Sequence, residues 1–201
     1  MTAAIADVID HLAGIAPDSP LDHIRRARPQ TRENAQASYL ALFAPAETTT
    51  VSLPERFAVA CFVAGLHRQA EVQGFYAEGL RQAGAAPGLL AAIEAEIVAG
   101  QAEGPAGHFP AGPLSAEDSE PPRYRIPEGR RAALTPRLAA ALEHAHLLVF
   151  HPRDAAPAAL QALLDAGWTT PGIVTLSQLI AFLAFQLRVV LGLRALAAQN
   201  A

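Results

Sequence analysis

Lysine is absent from this chain, and cysteine occurs once, at Cys61. The lone thiol excludes an intramolecular disulfide and the two-thiol chemistry of a Cys-x-x-Cys redox pair. Positive charge is also short: 15 basic residues, all of them Arg, face 19 acidic ones, for a net charge of -4. With a pI near 5.9 no broad basic surface can neutralise a run of phosphates, so no nucleic-acid partner is expected. Glycine-rich phosphate loops, a nucleophile elbow and an HExxH sequence are all missing. Neither cysteine-rich nor histidine-rich ligand spacing occurs, and neither a metal nor a cofactor is expected. A basic n-region is lacking at the start, and Asp7 and Asp10 interrupt what would be the apolar core of a signal peptide. The mature chain is therefore expected to start near Met1 and to be cytoplasmic. Long uninterrupted apolar runs are missing too. The stretch from Ile173 to Leu196 is broken by Gln178, Gln186, Arg188 and Arg194, so it reads as a buried helix and no membrane is expected.

What is present is a chain of 201 residues that is 51% hydrophobic, enough for one globular domain. Ile5, Val8, Ile9, Leu12 and Ile15 recur at helical spacing after a possible cap at Thr2, and Pro17 closes that helix. A linker with Pro20 and the cluster Arg25, Arg26 and Arg28 completes residues 1–30. A first helical half, 31–99, opens with a helix from Thr31 to Phe43. A long helix then starts at Ser52, Leu53 and Pro54, and another covers 87–99. Residues 100–129 are rich in Gly and Pro without apolar period and read as a long loop, a flap or a linker. His108, Phe109, Leu114, Tyr124 and Ile126 would anchor it to the helical body, across the rim of a pocket or a subunit seam. The second half, 130–201, holds helices from Pro136 to Phe150, from Ala156 to Asp165 and from about Pro171 onward. No strand pattern survives the same scan, so the class is all-α. The segments LRQAG-AAPGLL and LLDAG-WTTPGIV echo each other and suggest two pseudo-repeated helical hairpins.

Two stretches carry a resemblance. LLDAGWTTPGIVTLSQLIAFLAFQLRVVLGL resembles the C-terminal helical segment of the alkylhydroperoxidase D-like and carboxymuconolactone decarboxylase (CMD) superfamily, in its peroxidase-related branch, and SLPERFAVACFVAGLHRQAEVQGFYAEGLRQAG resembles its core motif region. The likeness spans roughly residues 31–196. It implies an all-helical alkylhydroperoxidase D-like fold and assembly into homo-oligomers, trimers or hexamers, with a cysteine-bearing relative as another partner. Active members carry a Glu, a Cys-x-x-Cys pair and a His, which attack and resolve a peroxide and relay its proton. Aligned without gaps on Glu55 and on the LRQAG segment, those positions are occupied here by Phe57, Gln69, Val72 and Tyr76. Gln69 and Val72 cannot form a thiolate or a disulfide and Phe57 cannot take a proton, so thiol peroxidase activity is not expected. A glycine often precedes the first family cysteine. Arg68 stands there, which puts the helix break at that point in question.

Three residues remain as weaker candidates. Cys61 falls beside Phe57, Ala64 and Val72 on a helical wheel and reads first as a small buried hydrophobe; a one-cysteine peroxidase would need Arg68 to lower its pKa. His67 and Glu71, at i and i+4, suit an acid/base pair or two metal ligands, yet with Arg56 and Glu78 they fall on one arc, as a solvated polar stripe would. Tyr76, Gln69 and Glu71 surround the family's pocket position, either to bind a small organic ligand or as repacked core. His144, His146 and His151 do not share a face and make no metal cluster. Gln186 and Arg188 are expected to satisfy one another or a carboxylate across a contact. Two functions therefore compete: a degenerate binding or partner subunit, and a cysteine-independent acid/base enzyme of decarboxylase or isomerase type that uses His67, Glu71 and Tyr76.

Overall fold

The computed structural model describes residues 5–199, and these form an all-α architecture of ten helices. Among the described residues there is no strand, only an isolated bridge between Gly107 and Ser119. Capping chemistry sets most helix starts. α1 (Val8–Ala13) begins where the Asp7 carboxylate accepts from the Asp10 N–H, and it ends at Gly14 in the left-handed region, φ 71°. The expected cap Thr2 lies outside the described residues. The expected linker is in fact a second helix, α2 (Pro20–Arg26), capped by Ser19 with proline in its first turn. α3 (Pro29–Phe43) follows, then α4 (Leu53–Leu66), which starts with a reciprocal capping box between Ser52 and Glu55.

α4 is the central helix, and α5 (Ala70–Gln82), α6 (Leu89–Ala99), α8 (Pro136–Phe150) and α10 (Thr170–Gln199) pack around it. Ala58 through Leu66 are buried without interruption, as a helix that is apolar all round requires. Gly65 makes the α6 contact possible, since a Cβ there would stand 2.5 Å from the Ile97 Cδ1. Arg56 is buried as well, contrary to the expected solvated stripe. Its guanidinium donates to the carbonyls of Val51 and Leu42 at 3.0 and 2.8 Å, satisfying chain ends that no helix bond reaches.

The helix does break after Leu66, without a glycine. Arg68 takes φ 57°, its N–H donates to the Gly65 carbonyl at 2.9 Å, and the Gln69 N–H donates to the Ala64 carbonyl at 3.1 Å. This is the paired bonding of a Schellman cap, with arginine where glycine is cheaper. Gln101 compensates. Its amide nitrogen donates to the Gly65 carbonyl and its oxygen accepts from the Arg68 Nε, both at 3.0 Å.

The Gly/Pro-rich segment is mostly irregular but holds a 3-10 turn at Pro113–Glu117, and α7 (Glu128–Arg131) begins before its expected end. It lies against the helical body. Ile126 is buried, the Tyr124 ring stacks on His146 at 4.5 Å, and Phe109 lies under the Arg153 guanidinium at 3.8 Å. Leu114 is half exposed and does not anchor the segment as expected, whereas His108, though exposed, does tie it to the body: its backbone N–H donates to an Asp154 carboxylate oxygen at 3.2 Å and its Nδ1 stands 3.5 Å from the same oxygen. α9 (Pro157–Asp165) leads to α10, which threads between α1, α3, α4, α8 and α9. By length and composition α10 could cross a membrane. Here Leu176, Leu179, Leu183, Leu187 and Val190 are buried in the core, while Val174, Phe185 and Leu191 stay 41–52% exposed.

Candidate functional site

A half-open groove with a cavity volume of about 990 Å³ separates the α1–α3 corner from α5. Its wall is aromatic. The tilted rings of Tyr39 and Phe43 of α3 lie 5.2 Å apart, Phe57 of α4 sits 5.1 Å beyond Phe43, and Phe75 of α5 lies 6.4 Å from Tyr39. Helical spacing produces this wall, since Tyr39 and Phe43 are four residues apart and share a face. Gly79 lines the same groove and allows Phe57 to lie flat across α5, because a Cβ at that position would collide with the Phe57 ring.

The mouth is charged, and its charges are used internally. The carboxylates of Asp7, Asp10 and Asp22 all receive the Arg32 guanidinium, at 2.8 Å for Asp7 and 3.0 Å for Asp22. Arg25 reaches Asp7 at 2.8 Å and also pairs with Asp10, while Arg26 holds Asp22 at 2.6 Å. Burial pushes the Asp7 carboxyl up, but the Asp10 N–H and the two guanidinia outweigh it and hold the pKa below the ordinary value. Asp10 goes the other way, raised by burial and by the Asp7 charge against the pull of Arg25 and Arg32. The network ties α1 and α2 to α3. This clamp was not foreseen in the sequence, although the Arg cluster after Ser19 is its visible half.

The residues singled out by the resemblance are scattered. Phe57 lines the groove. Tyr76 lies just behind the aromatic wall, fully buried, with its ring 5.0 Å from Phe43, and its hydroxyl donates to the Gln186 carboxamide oxygen. That bond corrects the expected pairing of Gln186 with Arg188, which instead donates to the Ala184 carbonyl one turn back on its own helix. Val72 is buried in the core, and Gln69 is the half-buried N-cap of α5. Cys61 is fully buried, and burial, with Glu94 adding and Arg81 opposing, pushes its thiol up to about 12.

His67 and Glu71 do not share a helix face, because the chain turns between them. His67 caps the C-terminus of α4, where burial and then the Arg188 charge hold its pKa below the ordinary value, and its Nε2 has no hydrogen-bond partner. Glu71 is exposed and paired with Arg194. The catalytic arrangement they were weighed for needs two acid/base groups converging on one cavity, and His67, Glu71 and Tyr76 do not line the groove. Glu78 does line it, engaged by Arg81 at 2.5 Å. Among the described residues no group of three or more His, Cys, Asp or Glu side chains is placed to hold a metal ion. Comparison with protein-family models, with curated proteins and with solved structures found no match.

Proposed function

We propose that this chain is a binding subunit whose aromatic groove takes a small, largely apolar organic molecule, and that it has no thiol peroxidase chemistry. The observation that carries the reading is the groove itself. A cavity of about 990 Å³ with a wall of Tyr39, Phe43, Phe57 and Phe75 has the size and lining of a small-molecule site. Every carboxylate and guanidinium at its mouth already has an ion-pair partner, so little is left for a strongly charged ligand. A degenerate alkylhydroperoxidase D-like ancestry, with two repeated hairpins, fits the same residues. The chain turns at Arg68 where the family breaks its helix, and Phe57, at the position of the family's Glu, faces the groove. We place the protein in the cytoplasm as a homo-oligomer, trimeric or hexameric, with Val174, Phe185 and Leu191 of α10 in the subunit contact.

Titration with the neutral fluorophore N-phenyl-1-naphthylamine tests the groove. Saturable fluorescence enhancement is expected, and Leu40→Glu, at a partly exposed lining position, should weaken it about tenfold by placing a charge in apolar surroundings. Equal affinity in that variant would remove the groove as the site. Sedimentation of a 21.1 kDa species alone at micromolar concentration would remove the oligomer.

A further inference from the structure

A second, smaller cavity of about 270 Å³ lies where the Gly/Pro-rich segment crosses α8. The segment was expected to cover the family-type pocket, but it contributes no residue to the groove and walls this cavity instead. Its polar groups are engaged, exposed or sealed off. The Glu143 carboxylate receives the Arg125 guanidinium at 2.7 Å and the Ile126 N–H at 2.9 Å, and the His146 Nε2 lies 3.0 Å from the Gly100 carbonyl. Arg123 is exposed to solvent, and the His144 Nδ1 is closed off from it. The groove differs, because one buried side chain in its wall carries a hydrogen-bonding group that is neither engaged nor sealed.

That group is a phenol. The chain has three tyrosines, and two of them use their hydroxyls inside the fold: Tyr76 donates to Gln186, and Tyr124 to the Glu96 carboxylate at 2.8 Å. The Tyr39 hydroxyl has no hydrogen-bond partner among the described residues. Tyr39 is only 9% exposed and lines the groove, yet its oxygen, unlike the His144 Nδ1, keeps accessible surface. It has lost most of its water without gaining a protein partner, a costly arrangement unless something in the groove supplies one. Burial raises its pKa, so at neutral pH the phenol keeps its proton and presents an O–H. The oxygen lone pairs are partly delocalised into the ring, which makes this hydroxyl a better donor than acceptor. The other polar side chains of the lining do not share the role. Asp7, Asp10 and Asp22 are held by the arginine clamp, Glu78 receives Arg81 and Gln82, and His11 is exposed.

We propose that the ligand of the groove is a neutral aromatic carbonyl compound, an aryl ketone or ester, whose oxygen accepts from the Tyr39 hydroxyl while its ring packs on Phe43 and Phe75. The inference rests on the groove reading above and gives it a ligand class. The centroids of those two rings lie 5.2 and 6.4 Å from that of Tyr39, so the hydrogen bond and the aromatic packing come from one stretch of wall. A single free donor matches a single acceptor oxygen. An anion is disfavoured, because each guanidinium at the mouth is already held by a carboxylate. A plain hydrocarbon would fill the groove but leave the phenol unpaired.

The test is displacement of N-phenyl-1-naphthylamine from the full chain by 2-acetylnaphthalene and by 2-isopropenylnaphthalene, which has the same shape with a methylene group in place of the carbonyl oxygen. Tyr39→Phe removes the hydroxyl and keeps the ring. The ratio of ketone to alkene affinity should fall about fivefold in that variant, as the loss of one hydrogen bond requires. A second readout needs no variant: the carbonyl stretch of the ketone bound to the wild type should lie at lower wavenumber than in hexane. The proposal is overturned by an affinity ratio that Tyr39→Phe leaves unchanged, by an unshifted carbonyl stretch in the wild type, or by tighter binding of 2-naphthoate than of the ketone. Any of these leaves the groove reading standing so long as the fluorophore binds saturably and Leu40→Glu weakens it. Absence of fluorophore and ketone binding alike would remove the groove as a site and this ligand class with it.

Discussion

The two cavities treat their charges in opposite ways. In the groove, Arg25, Arg26 and Arg32 close on Asp7, Asp10 and Asp22, so the charged mouth is a structural clamp and the accessible surface behind it is aromatic. Under the crossing segment the His144 Nδ1 is buried without a partner, while the unpaired Arg123 is exposed to solvent. A buried polar group that is satisfied holds the fold, and one that is unsatisfied either destabilises it or waits for a ligand. The groove therefore presents an apolar, aromatic wall, and the smaller cavity a mixed lining of arginine, histidine and alanine. The same contrast explains why the groove is bounded by four helix-borne rings while the smaller cavity needs an irregular segment to close it.

The largest expected effect comes from opening the clamp. Arg32→Ala leaves the carboxylates of Asp7, Asp10 and Asp22 with one guanidinium fewer between them, and losing one partner of a buried charge network costs about 3 kcal/mol. Urea denaturation should show that loss, and N-phenyl-1-naphthylamine binding should fall with it. A loss below about 0.5 kcal/mol would mean that the network behaves as exposed surface pairs do.

The smaller cavity should declare itself through pH. Burial, with His151 adding and the Gly100 hydrogen bond opposing, pushes the His146 pKa down to about 4 from an ordinary 6.5. As pH falls, the unfolded chain takes up that proton first, so stability is present above about 6.5 and is lost progressively down to about 4. Full conversion of the shift would give about 3 kcal/mol, and solvent near the irregular segment reduces this to about 2 kcal/mol. His146→Gln keeps a donor for the Gly100 carbonyl and removes the titration. The difference in unfolding free energy between wild type and variant should therefore shrink by about 2 kcal/mol from pH 7 to pH 4. Parallel pH profiles would show that His146 is hydrated in the folded protein.

Much of the helical layout was legible, and the reason is local. Ser52 with Pro54, and Pro136 at the head of its helix, carry their start chemistry within a few residues, whereas the stop expected at Pro17 falls three residues beyond the actual C-cap, Gly14. Arg68 was illegible because its left-handed turn is supported by Gln101, 33 residues away in sequence. The helix α2 was missed because its Arg cluster reads as a solvated linker until Asp7 and Asp10 of α1 are brought against it. Of the residues named through the resemblance, Phe57 lines the groove, while Tyr76, Gln69 and Glu71, expected around the pocket, do not. Tyr39 and Phe75 reach it from separate helices, and nothing in their own neighbourhoods marks them.

Tyr76 sharpens the comparison from inside the wall. Tyr76→Phe removes the donor to Gln186, whose Nε2 is already without a partner, and leaves a fully buried carboxamide with no hydrogen bond from its side chain. A cost of about 1.5 kcal/mol is expected, with probe binding changed less than about twofold because the ring remains. Replacing both partners, as Tyr76→Phe with Gln186→Leu, should recover most of the loss, since no buried polar group is then orphaned. If the double variant is no better than the single one, the hydroxyl has a role beyond satisfying Gln186, and a ligand in the groove would be the first place to look for it.

The smallest effect is expected at Cys61, and it bears on whether either cavity has a reactive thiol behind it. With burial pushing the thiol up to about 12, the thiolate is a trace species at pH 7, and the side chain is fully buried in the core. Neither attack on a peroxide nor reaction with a disulfide reagent can proceed from that state at a useful rate. Labelling by a disulfide reagent should therefore track unfolding, being slow in buffer and rising with urea in step with loss of helix. Consumption of cumene hydroperoxide with a dithiol reductant should equal that of a control thiol, before and after Cys61→Ala. The substitution itself should cost about 1 kcal/mol for the lost sulfur contacts. Fast labelling of the native protein, or peroxide turnover that vanishes in Cys61→Ala, would place a thiolate where the packing leaves no room for one and would return the chain to a one-cysteine peroxidase.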